Sequence, residues 1–364
     1  MAHRRIFIIA GEASGDLHGG NLVHALKQLD PHVMIRGTGG DQMQQAGMTI
    51  IRHISDMSFM GFLEVLKNIR PLLAILKQVK EDIRQFKPDL VILIDYPGFN
   101  LKIADFAHDL GIKVFYYISP QLWAWKKGRI ATIRRSVDKM FVILPFEKEF
   151  YASEGVEAEF LGHPLMDVIE PLLANTKDDA LPETPILALL PGSRKQEIIR
   201  ILPVFLEAAA QLPAFEPVIA CAPSVPEDVF LSVPGANRVK RVKGNTYALL
   251  QSASFAFVAS GTATLETALF GVPQIVGYKA DAASVFLARQ FVKVKYISLV
   301  NLILDAPAIT ELIQEQLTPD ALIQSFNALQ KDDRNLKQNY QILKSRLGGA
   351  GCAHRTAQRM LDAL

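Results

Sequence analysis

The segment FAFVASGTATLETALFGVP, at residues 255–273, limits the fold of this chain more than any other part of its sequence. Residues 255–259 form a short apolar run, which is typical of a buried parallel strand. Residues 263–270 then have the composition of a helix, and Gly271 and Pro273 provide the signal that ends it. A strand, a glycine-containing turn and a helix direct free backbone N–H groups towards an anion. The segment therefore predicts an α/β protein with an anion-binding turn.

Polar side chains in this segment match the chemistry of a nucleotide. The turn and the start of the helix offer hydroxyl groups for phosphates, and a carboxylate about one helical turn later is placed to reach a sugar hydroxyl. The alternative is structural: a hydroxyl side chain caps a core helix, and the carboxylate complements the helix dipole. The candidate nucleotide-binding residues are Ser260, Gly261, Thr262, Thr264 and Glu266.

The length and the repeating pattern of the chain predict two domains. The chain has 364 residues, more than the roughly 250–300 at which single cores stop growing. Strand-like and helical stretches alternate over residues 5–161 and again over 186–278, which predicts two doubly wound, Rossmann-like parallel α/β domains facing a cleft. The predicted strands include 5–10, 90–94, 186–190 and 274–278, and further helical stretches are predicted at 282–291 and 319–347. Residues 174–185 are polar and contain prolines, so we interpret them as the linker between domains at 1–173 and 186–347.

Composition excludes several classes of protein. The formal net charge of +2 does not favour a nucleic-acid partner. Two cysteines, Cys221 and Cys352, are too few for a disulfide framework or a metal cluster and fit a reducing cytosol. The apolar run at residues 6–10 is too short for a signal-peptide core, and no apolar stretch reaches the ~18 residues of a transmembrane helix. We therefore expect neither a signal peptide nor a membrane span.

Arg194, together with Ser193, is a candidate donor-binding residue in the second half of the chain, and its guanidinium is the candidate phosphate ligand. Arg194 follows Gly192 and Ser193 at the end of the strand predicted over residues 186–190. No Walker A motif, HExxH motif or Asp-x-Asp pair is found, so a nucleotide would have to be held by helix ends, hydroxyls and arginine, without a metal ion. A guanidinium grips two phosphate oxygens at once and stabilises a departing diphosphate. The alternative is an ion pair with Glu197.

Asp95 is the candidate general base. It follows the apolar run at residues 90–94, so its carboxylate stands at the carboxyl end of a predicted strand in the first domain. A carboxylate in that position can take a proton from an acceptor hydroxyl. The alternative is an aspartate that bonds its own loop before Pro97 and Gly98.

Two further groups are candidates for substrate contacts. Residues 11–16 are predicted to form a turn after the first strand, and His18 belongs to the helix that follows; ordinary turn chemistry is the alternative for this group. Asn301 is an amide among apolar residues and a candidate nucleotide contact, with a structural turn as the alternative. The candidate acceptor-side residues are Glu12, Ser14, Gly15, Asp16 and His18.

Residues 55–87 predict a surface that contacts a membrane. The apolar residues between 59 and 69 cover roughly 220° of a helix, whereas a helix that rests on a core needs a stripe of a little over ~100°. Lys77, Lys80 and Arg84 add a basic edge, which suits an anionic membrane surface. A helix buried on two sides is the alternative. The predicted membrane patch comprises Phe59, Met60, Phe62, Leu63, Leu66, Leu72, Leu73 and Leu76.

Six motifs occur in an order that resembles a known family. They are GEASGD at 11–16, YYISPQLWAWKKGR at 116–129, LPFE at 144–147, GHPL at 162–165, LLPGSR at 189–194 and ASGTATLE at 259–266. Over essentially its whole length the chain resembles the lipid-A-disaccharide synthases. The resemblance implies a two-domain glycosyltransferase of the GT-B type whose last helix, at 352–364, crosses back to the first domain. It also implies the reaction of UDP-2,3-diacylglucosamine with 2,3-diacylglucosamine 1-phosphate to a β-1,6-linked disaccharide 1-phosphate and UDP.

The resemblance also assigns roles to the candidate residues. It implies an inverting, metal-independent enzyme without a cofactor, bound to the cytoplasmic face of the inner membrane, and it points to a homodimer. Asp95 is then the base for the acceptor 6-hydroxyl, Arg194 holds the UDP diphosphate, residues 260–264 hold its phosphates and ribose, Glu266 binds the ribose, and Asn301 lies near the donor. Val300 departs from the family, which has a proline there. The alternatives are another UDP-sugar enzyme on this fold, such as a 2-epimerase or another lipid-linked transferase, and a non-catalytic nucleotide-sugar binder.

Overall fold

The chain divides into two compact units. A computed structural model describes residues 3–56, 69–123, 127–174, 184–281 and 295–364. The first unit combines Met1–Val168 with Leu347–Leu364, and the second is Ile169–Arg346. The first unit is therefore built from two separate parts of the sequence.

The first unit contains a parallel sheet of seven strands in the order β3-β2-β1-β4-β5-β6-β7. The strands are β1 (Arg5–Ala10), β2 (Met34–Gly39), β3 (Thr49–His53), β4 (Leu90–Ile94), β5 (Lys113–Tyr117), β6 (Lys139–Val142) and β7 (Ala158–Phe160). The helices are α1 (Ala13–Leu29), α2 (Asp41–Gln45), α3 (Ile69–Phe86), α4 (Pro97–Asp109), α5 (Ile130–Ser136), α6 (Glu147–Ser153) and, from the end of the chain, α15 (Cys352–Asp362). Helix α7 (Leu165–Ala174) begins in the first unit and includes the first residues of the second.

Both faces of this sheet are buried, which explains its continuous apolar strands. Successive side chains of a strand point to opposite faces. In β1, Phe7 and Ile9 accordingly join one core cluster, and Ile6 and Ile8 join the other. Burial on both faces is the usual state of a parallel sheet with helices on either side.

Helix α15 completes the first unit. Its residues Ala357 and Met360 are buried in the same cluster as Ile6 and Ile8 of β1. The carboxylate of Asp167 accepts hydrogen bonds from the backbone N–H groups at the start of α15, at 2.6 Å from Gly351, 2.9 Å from Cys352 and 2.7 Å from Ala353. These bonds satisfy N–H groups that have no partner within the helix.

The second unit contains a parallel sheet of six strands in the order β10-β9-β8-β11-β12-β13. The strands are β8 (Ile186–Leu190), β9 (Glu216–Cys221), β10 (Lys240–Lys243), β11 (Ala253–Ala259), β12 (Gln274–Tyr278) and β13 (Thr310–Ile313). The helices are α8 (Lys195–Ala209), α9 (Glu227–Leu231), α10 (Thr246–Ser252), α11 (Thr262–Leu269), α12 (Leu299–Leu304), α13 (Pro319–Lys331) and α14 (Arg334–Leu347). Leu187, Phe255 and Phe257 of the sheet share a core cluster with Leu202 and Phe205 of α8.

The prediction of two doubly wound parallel α/β sheets is confirmed, with two local corrections. The turn predicted at 11–16 is wrong beyond residue 12, because α1 begins at Ala13 and the N–H of Asp16 already donates to the carbonyl of Glu12 at 3.0 Å. A continuous helix over 319–347 is also wrong, because α13 ends at Lys331 and Asp332 accepts the N–H of Arg334 at 3.1 Å before α14. The helix predicted at 282–291 and most of the linker lie outside the described residues.

Candidate active site

The turn between β11 and α11 has the geometry predicted for an anion site. Gly261 has a φ of +154° and a ψ of −163°, a conformation that L-residues with a side chain rarely adopt, and no side chain of the described residues caps the helix. Gly261 and Thr262 are exposed at the helix N-terminus. The first N–H groups of a helix have no partner within it and carry the positive end of its dipole. The turn can therefore bind a phosphate.

The hydroxyls of this turn do not all face a ligand. Ser260 donates from Oγ to the carbonyl of Ile297 at 2.8 Å, and Thr264 is buried and donates from Oγ1 to the carbonyl of Gly261 at 2.8 Å. Both therefore use their protons inside the unit. Thr262 is the exposed hydroxyl of the set.

Glu266 has a partner that the sequence did not reveal. The hydroxyl of Tyr247, in α10, donates to Oε1 of Glu266 at 3.2 Å. The ring of Tyr247 lies 5.7 Å from that of Phe270, centroid to centroid. Burial raises the pKa of Glu266, and the hydrogen bond from Tyr247 acts in the opposite direction. Tyr247 thus fixes the carboxylate that is the candidate ligand of the ribose.

Arg194 lies at the N-terminus of α8, after the exposed Ser193. Its side chain is 74% exposed and pairs with Glu197 at 3.1 Å, which is the alternative considered above. Gly192 has a φ of +109°, and a Cβ atom there would lie 2.6 Å from Oε2 of Glu197. The carboxylate of Glu197 therefore folds back over the glycine.

The side chain of Asn301 is buried in a network of hydrogen bonds. Its Oδ1 accepts the N–H of Ile309 at 2.9 Å, and its Nδ2 donates to the carbonyl of Ile309 and to Oε1 of Glu311, both at 2.9 Å. Glu311 also accepts from the N–H of Ser298 at 2.8 Å and from its hydroxyl at 2.6 Å. Val300, next to it in the sequence, is also buried. The contacts of Asn301 in the structure are therefore those of the alternative reading, in which the amide stabilises a turn.

Asp95, at the end of β4, has an unusual backbone conformation that hydrogen bonds stabilise. Its φ is +45° and that of Tyr96 is +48°, both in the left-handed region that residues with side chains rarely adopt. The N–H of Asp95 donates to the carbonyl of Tyr117 at 3.2 Å. Its carbonyl accepts from Nδ2 of Asn100 at 2.8 Å and from the hydroxyl of Tyr116 at 2.6 Å. Conformations of this kind persist where the surrounding structure determines them, and they cluster at active sites.

The side chain of Asp95 opens onto a cavity of about 260 Å³ within the first unit. Burial, together with the nearby Glu12 carboxylate, raises the pKa of Asp95 to about 6. A general base works best when its pKa lies near the operating pH. Asp95 thus has the protonation behaviour and the access that its predicted role requires. The lining residues are Asp95, Pro97, Ile118, Ser119, Gln121, Ile143, Leu144 and Glu147.

Glu147 also lines this cavity, although its sequence position did not predict it as a site residue. Its carboxylate accepts from Oγ of Ser119 at 2.9 Å, Nε1 of Trp123 at 3.2 Å and the N–H of Leu144 at 3.0 Å. Burial raises its pKa to about 7, while these hydrogen bonds act in the opposite direction. The LPFE motif was the available signal, but nothing in it shows that the carboxylate turns inward.

The predicted acceptor-side residues separate into two groups. Asp16 is buried and caps α2, since its carboxylate accepts the N–H groups of Gly40 at 2.6 Å and of Gln42 and Met43 at 3.1 Å each. Gly15 is buried, and so is His18, whose burial lowers the pKa of the imidazole to about 4. Glu12 and Ser14 are exposed beside the start of α1. Only these last two are open to an acceptor.

The predicted membrane patch is described only in part. Phe59, Met60, Phe62, Leu63 and Leu66 lie outside the described residues. Within α3, Leu72 and Leu76 pack against the core, whereas Leu73 is 48% exposed. Buried Ile75 and Val79 show that this helix rests on the core through one face. None of the helices within the described ranges combines the length and apolar character that a membrane crossing needs.

Metal ligands are absent from the part of the chain that the structure describes: no three or more histidine, cysteine, aspartate or glutamate side chains group there in a way that could hold an ion. Metal independence itself stays a prediction.

Comparisons with known proteins give a family match and a fold match. The family model described as lipid-A-disaccharide synthetase matches residues 6–361. The lipid-A-disaccharide synthase of Syntrophus aciditrophicus is 41% identical over 380 residues, which cover 100% of this chain and 99% of that protein. Among solved structures, the UDP-GlcNAc 2-epimerase of Neisseria meningitidis bound to UDP-GlcNAc (TM-score 0.66, 14% identity) and the glycotransferase of kitacinnamycin (TM-score 0.68, 15% identity) each cover 100% of both chains. The structural matches carry the fold alone, and they confirm the predicted GT-B type.

Proposed function

The chain belongs to the lipid-A-disaccharide synthetase family, and from that premise we propose that it transfers the sugar of UDP-2,3-diacylglucosamine to 2,3-diacylglucosamine 1-phosphate. The products are the β-1,6-linked disaccharide 1-phosphate and UDP. The observation that carries this function is the 41% identity to a lipid-A-disaccharide synthase across both chains. The chain is a glycosyltransferase, and the 2-epimerase alternative rests on a likeness of fold only.

Asp95 acts as the general base in this proposal. The acceptor 6-hydroxyl gives its proton to the Asp95 carboxylate while the oxygen attacks the anomeric carbon of the donor and the bond to UDP breaks. Three observations support the assignment: the cavity beside the carboxylate, the pKa of Asp95 raised to about 6, and the left-handed backbone conformation of Asp95 and Tyr96. Attack on the side opposite the leaving group makes the reaction inverting.

The donor is held by residues of the second unit. The N–H groups at the start of α11 and the hydroxyl of Thr262 take the phosphates, and the Glu266 carboxylate, fixed by Tyr247, takes the ribose. When the donor binds, the guanidinium of Arg194 leaves the carboxylate of Glu197 and binds the diphosphate. The positive helix end and the guanidinium stabilise the charge that develops on UDP, so the proposal needs no metal ion or cofactor.

We further propose that the enzyme works at the cytoplasmic face of the bacterial inner membrane. The exposed Leu73 lies on the same helix as the exposed Lys77, which supports contact with an anionic surface. Both proposed substrates carry acyl chains and therefore reside in the membrane, so the enzyme has to contact the membrane surface to reach them. A homodimer remains a prediction from the family resemblance.

A turnover assay in detergent tests the proposed function. The two lipid substrates are incubated with wild-type enzyme and with the Asp95→Asn variant, and the disaccharide is detected by mass spectrometry. Product from the wild type alone supports both the reaction and the base. Product from both proteins keeps the reaction and removes Asp95 as base. A folded wild type that binds UDP but forms no disaccharide contradicts the proposed reaction.

A further inference from the structure

The carboxylate of Glu147 is buried and fully engaged. Glu147 is 1% exposed and begins α6. Oε1 accepts from Oγ of Ser119 and Nε1 of Trp123, while Oε2 accepts from the N–H groups of Ile143 at 3.3 Å and Leu144 at 3.0 Å. A buried carboxylate is costly unless it is hydrogen-bonded in this way. Its four partners come from two loops, one after β5 and one after β6, so Glu147 joins them.

Helix α6 holds the loop after β5 at further points. One turn beyond Glu147, the hydroxyl of Tyr151 donates to the carbonyl of Pro120 at 2.8 Å. The ring of Trp123 meets that of Phe146 edge-on, with centroids 5.1 Å apart. Ile118, at the start of the loop, has a φ of +62°, a conformation that must be maintained by its surroundings. The loop at 118–123 therefore keeps its shape through α6.

This loop is a wall of the cavity that contains Asp95. Ile118, Ser119 and Gln121 line the cavity together with Asp95. The preceding strand β5 also holds Asp95 itself, through the hydroxyl of Tyr116 and the carbonyl of Tyr117. The base and the polar wall are thus fixed to the same strand end, and Glu147 sets the position of the wall.

We propose that Glu147 is a positioning residue for the acceptor sugar. Its carboxylate accepts the hydrogen bond of the Ser119 hydroxyl and fixes the loop so that the exposed Gln121 binds a hydroxyl of the sugar ring beside Asp95, while the Oγ of Ser119 is left as an acceptor on the cavity wall. The inference rests on the proposed function and adds to it the residues that recognise the acceptor. Because Glu147 and its partners all belong to the first unit, whereas the donor-binding turn belongs to the second, the effect of Glu147 falls on acceptor binding.

The test measures kcat and the KM of each substrate for the Glu147→Gln variant. The amide turns an N–H group towards N–H donors, so we expect the acceptor KM to rise about tenfold while the donor KM stays within about twofold. Glu149→Gln is the matched control, because Glu149 is exposed on the same helix, and its two KM values should equal those of the wild type. A Glu147→Gln protein with an unchanged acceptor KM, or with both KM values raised equally, overturns the inference.

Two milder variants keep the test decisive if Glu147→Gln does not fold. Trp123→Phe removes the Nε1 donor and Tyr151→Phe removes the bond to Pro120, while both keep an aromatic ring in place. A selective rise of the acceptor KM in these variants supports the inference, and wild-type values in both overturn it. Failure of the proposed function is seen separately, since the wild type itself would then form no disaccharide.

Discussion

The guanidinium of Arg194 donates a hydrogen bond of 3.1 Å to Oε1 of Glu197, one helical turn along α8. The same carboxylate lies over Gly192, where an added Cβ atom would meet it at 2.6 Å. Because Arg194 is largely exposed, this ion pair contributes only ~0–1 kcal/mol. A charge-assisted hydrogen bond to a phosphate contributes ~1.5–3 kcal/mol. The pair with Glu197 therefore does not prevent Arg194 from binding a diphosphate; it orders the side chain until one arrives.

Replacing Arg194 with alanine should weaken the binding of UDP by ~1.5–3 kcal/mol, the range for a hydrogen bond to a charged group. Isothermal titration calorimetry measures this directly. Glu197→Gln is the matched control: it releases Arg194 from its ion pair and should change UDP affinity by less than ~1 kcal/mol. If Arg194→Ala binds UDP as the wild type does, Arg194 is not part of the site.

Replacing Asp95 with asparagine should lower kcat about 10²–10⁴-fold, the usual contribution of general acid–base catalysis. The amide is nearly isosteric but cannot take a proton, so UDP affinity and thermal stability should stay close to those of the wild type. A kcat within about threefold of wild type would show that another group accepts the proton.

The rate should also depend on pH through Asp95. Its carboxyl must be ionised to act as a base, and its pKa is raised to about 6. Protonation below that value removes the base, so kcat/KM should be constant above about pH 7 and fall about tenfold per unit below about pH 6. Glu147 also titrates, near pH 7, so the decisive measurement uses Glu147→Gln: the fall near pH 6 should persist there. A flat profile down to pH 5 would contradict the assignment.

Replacing Asp167 with alanine should destabilise the first unit. Three backbone N–H groups at the start of α15 lose their acceptor, and loss of a helix cap costs ~0.5–2 kcal/mol. Urea denaturation monitored by circular dichroism measures the loss. Asp167→Asn keeps one acceptor oxygen and should lie between the alanine variant and the wild type. Equal stability of all three proteins would mean that solvent replaces the cap without cost.

Within α3, two leucines one turn apart should differ in their effects. Leu73→Ser should weaken sedimentation with anionic vesicles and leave thermal stability unchanged, because Leu73 is 48% exposed. Leu76→Ser should instead lower thermal stability, because Leu76 packs against the core. Vesicle binding unaffected by Leu73→Ser would remove this part of the helix from the membrane contact.

Chelation with EDTA should leave turnover unchanged, because the proposed site meets the charge of the diphosphate with a helix N-terminus and Arg194. The measurement is the rate of disaccharide formation with and without EDTA. A loss of activity that magnesium restores would show that a metal ion takes part.

The central strands were predictable because a strand that is buried on both faces consists of consecutive apolar residues. The predicted bounds of β1, β4, β8 and β12 agree with the structure. The edge strand β10 was not predicted: it is Lys240–Lys243, with the sequence KRVK, and no residue of it is fully buried. Such a strand is defined by its hydrogen bonds to β9, which leave no hydrophobic signature.

The candidate site was predictable where it depends on strand ends. Asp95 and the turn at Ser260 and Gly261 were predicted in that way, and the structure places them at the ends of β4 and β11. Glu147 and Tyr247 were missed, because their partners Ser119 and Glu266 lie 28 and 19 residues away and come close only through the order of the strands.

Asp16 and Asn301 show the opposite error. Both were candidate substrate contacts, and both are buried with their side-chain polar atoms bonded to the backbone. Capping and ligand binding use the same residue types, so composition alone does not separate them.

The return of α15 to the first unit has a consequence for how the protein is made. The ribosome synthesises Leu347–Leu364 only after the whole of Ile169–Arg346, although these last residues belong to the core around β1. The second unit is continuous and can fold as soon as it emerges, while the surface of β1 and α1 that α15 will cover stays open. The unit that is translated first is therefore the unit that completes its folding last. Until α15 is made, the apolar face of this unit is exposed, and newly made chains would need protection by chaperones there.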